Sequence, residues 1–192
     1  VEVPAEVSSE HEIAPPVSDK APEFVKKVTG ELIAGRGDAL PVSLMPVDGT
    51  FPVGTARWDK RNLALEIPVW EEDLCIFCGK CAMVCPHSAI RTKVFTKEDV
   101  ADAPPTFKYT EVKGKEFDEG TLINYQIFPE DCTGCTLCVD ICPAKSKENA
   151  SFKALNMAPQ PPLREQEREN TESFYQLPSL DRTTVRPSTL TP

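Results

Sequence analysis

The residues of this chain whose type and spacing could do chemistry are its eight cysteines, and all eight lie in two runs. The first, CIFCGKCAMVCP, supplies Cys75, Cys78, Cys81 and Cys85 and closes on Pro86. The second, CTGCTLCVDICP, supplies Cys132, Cys135, Cys138 and Cys142 and closes on Pro143. Both read C-x2-C-x2-C-x3-C-P, the bacterial-type spacing for two cubane 4Fe-4S clusters, in which the fourth cysteine of each run ligates the other cluster. By that rule cluster one takes Cys75, Cys78, Cys81 and Cys142, and cluster two takes Cys132, Cys135, Cys138 and Cys85. Crossed ligation of this kind would tie the two halves of the fold together.

The spacing suits the chemistry. A cubane needs four soft thiolates at the corners of a small tetrahedron, and cysteines three apart in a turning loop wrap three corners while leaving little chain to order. Gly79 and Gly134 let the backbone bend close to sulfur. A helical turn from Cys81 or Cys138 would carry the fourth cysteine onward to the second cube. Ile76, Phe77, Ala82, Val84, Leu137, Val139 and Ile141 are expected to form the dry sheath.

Two other uses of eight cysteines fit less well. Structural zinc sites are normally built from separated CxxC pairs, and a disulfide framework belongs with a secretory signal that the sequence does not show. No catalytic residue is expected. Only His11 and His87 are present, and His87, beside Pro86, reads as a surface residue rather than a tuner of the cluster. Lys80, Lys145 and Lys147 read equally as solvated charges or as offsets to cluster charge.

The elements that must position the cysteines follow from the flanking patterns. Residues 63–70, LALEIPVW, alternate and put Leu63, Leu65, Ile67 and Val69 on one face of a strand, with Pro68 suggesting an edge. AIRTKVF (89–95) and TLINYQIF (121–128) read as two more strands, and FKALNM (152–157) as a fourth. Thr96 is placed to cap a helical turn running to about Ala103 and stopped by Pro104-Pro105. Residues 106–120 read as loop. Each cysteine run thus follows one strand and precedes another. The repeat offset is 57 residues, from Cys75 to Cys132, which predicts a pseudo-twofold arrangement.

The flanks read differently. With 19 prolines in 192 residues, part of the chain must be extended. Residues 1–22 read as a strap. Phe24, Val25 and Val28 mark one side of a short helix ending by Gly30 or Gly35. Residues 35–62 are punctuated by Gly and Pro, so regular structure should be scarce there, while Leu44, Met45, Phe51 and Trp58 should lie against another surface. Leu163–Leu177 reads as a solvated helix behind Pro161-Pro162, docking through Phe174, Tyr175 and Leu177, and the last residues read as a second strap.

The formal charge of −9 argues against a nucleic-acid partner. Two oxidised cubes would deepen it to about −13. No apolar run approaches the roughly 18 residues of a membrane span, and the expected setting is the cytoplasm or another reducing intracellular compartment.

The runs PVDGTFPVGTARWDKRNLALEIPVW, CIFCGKCAMVCPHSAIRTKVF, EDCTGCTLCVDICPAKSK and LNMAPQPPLREQEREN resemble the ferredoxin-like segment of pyruvate:ferredoxin (flavodoxin) oxidoreductases. The resemblance covers about residues 22–186, and the ARWDKRN and PLREQEREN stretches have no part in generic ferredoxins. It implies a large enzyme that decarboxylates pyruvate on thiamine diphosphate, acetylates coenzyme A and exports electrons singly through three 4Fe-4S clusters. This chain would carry the two outer clusters on its eight cysteines. The thiamine diphosphate motif, the third cluster and the substrate domain have no counterpart in it, so it is not expected to act on pyruvate by itself. The 46 residues between Cys85 and Cys132 match the family's middle insertion.

The fold expected is therefore α+β: a ferredoxin-like, pseudo-twofold two-cluster domain at 63–157, an N-terminal docking strap at 1–62 and a C-terminal helical arm at 158–192. Its partners would be other domains or subunits of the 2-oxoacid oxidoreductase, with ferredoxin or flavodoxin as acceptor. An autonomous ferredoxin-type carrier and a zinc-organised interaction module are the alternatives.

Overall fold

A computed structural model describes residues 15–60, 62–112, 117–181 and 183. The chain divides into two compact units, the first ending at residue 61 and the second beginning at Asn62.

In the first unit, Val25–Thr29 form a π-helical turn that runs into α1 (Gly30–Ile33). Val25 and Val28 are buried, as their spacing of three predicts. Gly30 sits so close to its neighbours that a Cβ there would meet Val17 Cγ2 at 3.2 Å, which accounts for a glycine inside a helix. Gly35, in the left-handed region, ends it. Val17, Ala21 and Val25 form a small core against which Trp58 packs, and Ser18 N–H donates to Trp58 O at 3.0 Å. Between 37 and 57 the helical structure is limited to three 3-10 turns. Of the apolar residues expected to be covered here, Leu44 and Phe51 stay exposed, although Phe51 meets Phe24 edge-on at 5.8 Å. Residues 1–14 and 184–192, read as straps, lie outside the described residues.

The second unit is α+β. Its elements are β1 (Glu66–Trp70), α2 (Lys80–Val84), β2 (Ile90–Phe95), β3 (Thr110–Glu111), β4 (Leu122–Ile127), α3 (Leu137–Ile141), β5 (Leu155–Pro159) and α4 (Gln160–Gln176). β1 pairs antiparallel with β5, and β2 with β4, so each strand flanking one cysteine run pairs with a strand flanking the other. β3 adds a short edge to β4 inside the stretch read as loop. The helical turn after Thr96 is only a 3-10 turn, Glu98–Val100. Here Asp99 Oδ2 reaches back to accept from both the N–H and the hydroxyl of Thr96 at 2.8 Å.

β1 departs from its expected face. Leu63 and Leu65 are exposed, while Ala64, Ile67 and Trp70 are buried. The strand begins only at Glu66, so the alternation upstream has no sheet to register it, and Ala64 instead packs beside Gly134 of the second cysteine loop.

β4 lies between β2 and β3 and is buried along both faces, as a central strand should be. Ile123, Tyr125 and Ile127 join Ile67, Trp70, Ile90 and Leu155 in the main core, onto which Cys75, Cys81, Cys132 and Cys138 also pack. The alternate residues are polar and bond laterally through their amide N–H groups: Asn124 Nδ2 donates to Lys108 O at 2.7 Å, and Gln126 Nε2 to Glu167 Oε2 on α4 at 2.8 Å.

Pro161-Pro162 in the first turn starts α4 and Leu177-Pro178 stops it. Gln160, fully buried, anchors its beginning by donating to Asn62 Oδ1 at 2.7 Å and Pro129 O at 2.9 Å. At its end Phe174 and Leu177 join Phe95, Val100, Phe107 and Phe128 in a second core, with Phe128 edge-on to Phe174 at 5.6 Å. The residues read as docking contacts therefore cover this unit's own sheet. Among the described residues no helix is long and apolar enough to cross a membrane.

Candidate metal centres

Each cysteine run leaves its strand as a tight loop and then makes one helical turn. The geometry of the two loops repeats: the second and fourth positions after the leading cysteine are left-handed in both, at Phe77 (φ 58) and Gly79 (φ 68), and at Gly134 (φ 70) and Thr136 (φ 64). Glycine therefore relieves only one of the two strained positions in each loop, and a different one. The turns α2 and α3 pack against each other. Lys153 Nζ, 2.7 Å from Val139 O and 3.3 Å from Asp140 O, holds the carbonyl end of α3.

Two recesses result. One is lined by Cys75, Cys78, Cys81 and Cys142, with Trp70, Tyr125 and Leu155 among its walls. The other is lined by Cys85, Cys132, Cys135 and Cys138, with Pro68, Ile90 and Met157. Their empty volumes are similar, about 320 and 370 Å³ with open solvent included. The fourth cysteine of each run thus stands beside the first three of the other. The donor set, four soft sulfurs around a largely apolar recess, fits a 4Fe-4S cube. Among the described residues no three His, Cys, Asp or Glu side chains gather as a single-ion site. A cube differs in offering its thiolates four separate irons.

Burial dominates the electrostatics of the cysteines. Burial pushes Cys81 up to about 12 and Cys138 up to about 11, and raises Cys75 and Cys132 as well. Ligation of a metal requires these thiols to give up their protons, so cluster assembly would release them. Backbone N–H groups oppose the burial at matched places in the two halves: Phe77 on Cys75 and Gly134 on Cys132, then Ala82 on Cys81 and Val139 on Cys138. Gly134 N–H lies 3.4 Å from Cys132 Sγ, and Ala89 N–H donates to Cys85 Sγ at 3.2 Å. Burial, then the neighbouring cysteines, holds the Tyr125 phenol above its usual range. Cys78 and Cys135, equivalent in the repeat, are exposed.

The expected sheath is only partly in place. Phe77, Ala82, Val84 and Val139 pack on the core, but Ile76, Leu137 and Ile141 are exposed, because a one-turn helix and a tight loop cannot bury every side. His87, Lys80, Lys145 and Lys147 are exposed, with His87 at the edge of the second recess; His11 lies outside the described residues. Sequence reasoning missed Trp70, Tyr125, Leu155 and Met157 as walls. The repeat offset held the clue for two of them, since it pairs Trp70 with Ile127 and Pro68 with Tyr125.

Fold and cysteine geometry define an iron-sulfur protein of the two-cluster ferredoxin-like class, and residues 74–146 match the 4Fe-4S dicluster domain. Residues 10–64 match EKR, a domain of unknown function. Over 171 residues the chain is 53% identical to the pyruvate-flavodoxin oxidoreductase of Nostoc sp., covering 89% of this chain and 14% of that protein. It is 49% identical over 183 residues to a probable pyruvate-flavodoxin oxidoreductase of Escherichia coli (94% and 16%), and 43% identical over 159 residues to the pyruvate:ferredoxin oxidoreductase of Moorella thermoacetica (83% and 13%). The chain is homologous to a segment of the pyruvate-flavodoxin oxidoreductases, and it spans about a seventh of the length of the relatives it matches.

Proposed function

We propose that this chain is the electron-relay module of a pyruvate:ferredoxin (flavodoxin) oxidoreductase. The observation that carries the reading is the pair of recesses, each ringed by three cysteines of one run and the fourth of the other. Cys75, Cys78, Cys81 and Cys142 would hold one 4Fe-4S cluster, and Cys132, Cys135, Cys138 and Cys85 the other. When bound, such clusters supply reversible one-electron storage at low potential.

The chain's own residues do the rest. The core beneath the loops excludes water from the buried cysteines, backbone N–H groups offset the charge on sulfur, and the exposed Cys78 and Cys135 leave one corner of each site open for electron entry and exit. Exchanged strand pairing and the shared 57-residue offset support a pseudo-twofold domain. The N-terminal strap and the segment beyond α4 would lead to other domains of the oxidoreductase. There the resemblance implies thiamine diphosphate and a third cluster. Ferredoxin or flavodoxin would be the acceptor, in a reducing intracellular compartment.

Mixed with the remaining domains of such an enzyme, the reconstituted chain should carry electrons from pyruvate to flavodoxin or ferredoxin. A chain that exchanges electrons with a low-potential donor yet never couples those domains to the acceptor would be a free carrier instead.

A further inference from the structure

The backbone donors to the first and third cysteine of each loop have counterparts in the other half, but one side-chain donor does not. Trp70 is 3% exposed, ends β1 five residues before Cys75, and lines the recess of Cys75, Cys78, Cys81 and Cys142. Its Nε1 is buried without a hydrogen-bond partner among the protein's atoms. A buried indole N–H left unpaired loses its hydrogen bond to water without replacement, so the position calls for an acceptor. Burial raises the Cys75 thiol and the indole N–H opposes that rise, although no hydrogen bond joins the two in this structure. The equivalent place in the second half is Ile127, which has no donor to offer. A tilted ring contact with Tyr125, with centroids 5.4 Å apart, and pairing of β1 with β5 hold the indole where it is.

We propose that Trp70 Nε1–H is a hydrogen-bond donor to sulfur of the first cluster, either Cys75 Sγ or a cluster sulfide, and that it tunes the two clusters apart. This rests on the relay reading. One-electron reduction adds one negative charge to the cluster. A donor aimed at its sulfur stabilises the reduced form more than the oxidised one, and so raises the potential of that cluster alone. Trp70 is a positioning and tuning residue; it ligates nothing.

The test is Trp70→Phe in the reconstituted full chain, with iron content measured first and each cluster's potential then followed by EPR during a mediated redox titration. About eight iron per chain establishes the two-cluster reading independently of Trp70. The expected result is that the reduced-to-oxidised ratio of cluster one falls about threefold to tenfold at fixed potential, a downward shift of about 30 to 60 mV for a one-electron couple, with cluster two unmoved. No shift, or equal shifts of both clusters, overturns the proposal. Should the variant fail to assemble cluster one, the native indole decides. With Trp58→Phe leaving Trp70 as the sole tryptophan, nitrogen-15 indole labelling should give a pulsed-EPR coupling to reduced cluster one. Absence of that coupling overturns the proposal.

Discussion

The two cysteine recesses are framed alike and walled differently. Each has three cysteines from a loop with two left-handed residues, a fourth from across the fold and backbone N–H groups acting on the first and third cysteine of its loop. At the next layer the likeness ends: the first recess has the ring pair Trp70 and Tyr125 behind it, whereas Pro68, Ile90 and Met157 stand behind the second. Ligand geometry must repeat because each cube makes the same demand, while the wall is free to vary and sets the dielectric and the hydrogen bonds around sulfur. Two clusters bound identically can therefore sit at different potentials.

The largest effect expected from breaking this arrangement is loss of a cluster. Cys85→Ala should cut iron from about eight to about four per chain, the missing cluster being that of Cys132, Cys135 and Cys138. Cys142→Ala should remove the other one. Loss confined to the mutated run in either variant would refute the exchange of fourth ligands. A smaller effect separates the loops. Gly134→Ala forces a side chain into a left-handed residue and brings its Cβ to 3.2 Å from Glu66 O and 3.6 Å from Ala64 Cβ; we expect about 2–3 kcal/mol of destabilisation in chemical denaturation. Gly79→Ala carries the same backbone strain but meets nothing within 4 Å, so about 1 kcal/mol should be lost. Equal losses would mean that the contact with β1 is unimportant. At the small end, Thr136→Gly should stabilise the second loop by up to about 1 kcal/mol, since its β-branched residue sits at φ 64; a loss instead would show that its long 3.4 Å contact with Asp140 Oδ2 outweighs the strain.

Much of this site was legible in the sequence because it is local. The spacing of Cys75 to Cys85 and Cys132 to Cys142, the strand-like runs at 89–95 and 121–128, and the Pro-Pro start of α4 each reside within a dozen residues. What stayed hidden depends on distant pairing. β1 meets β5 from the far end of the domain, so nothing near Leu63 and Leu65 says that the strand has not yet begun. Trp70 and Tyr125 become neighbours only after β1 has paired with β5 and β2 with β4. α4 shows few apolar residues in sequence, because its buried face is partly polar: Asn170 meets Thr106 at 2.9 Å, and Glu167 meets Gln126. Ile76, Leu137 and Ile141 were misjudged for the opposite reason: apolar character alone does not bury a residue in a loop this short.

The central claim, two cubes in two recesses, is tested most directly by anaerobic reconstitution of the full chain with iron and sulfide, followed by metal analysis and low-temperature EPR after reduction. The account predicts about eight iron and eight sulfide per chain, no zinc, and two magnetically interacting reduced clusters. About two zinc without iron, or a single isolated cluster with about four iron, would contradict it.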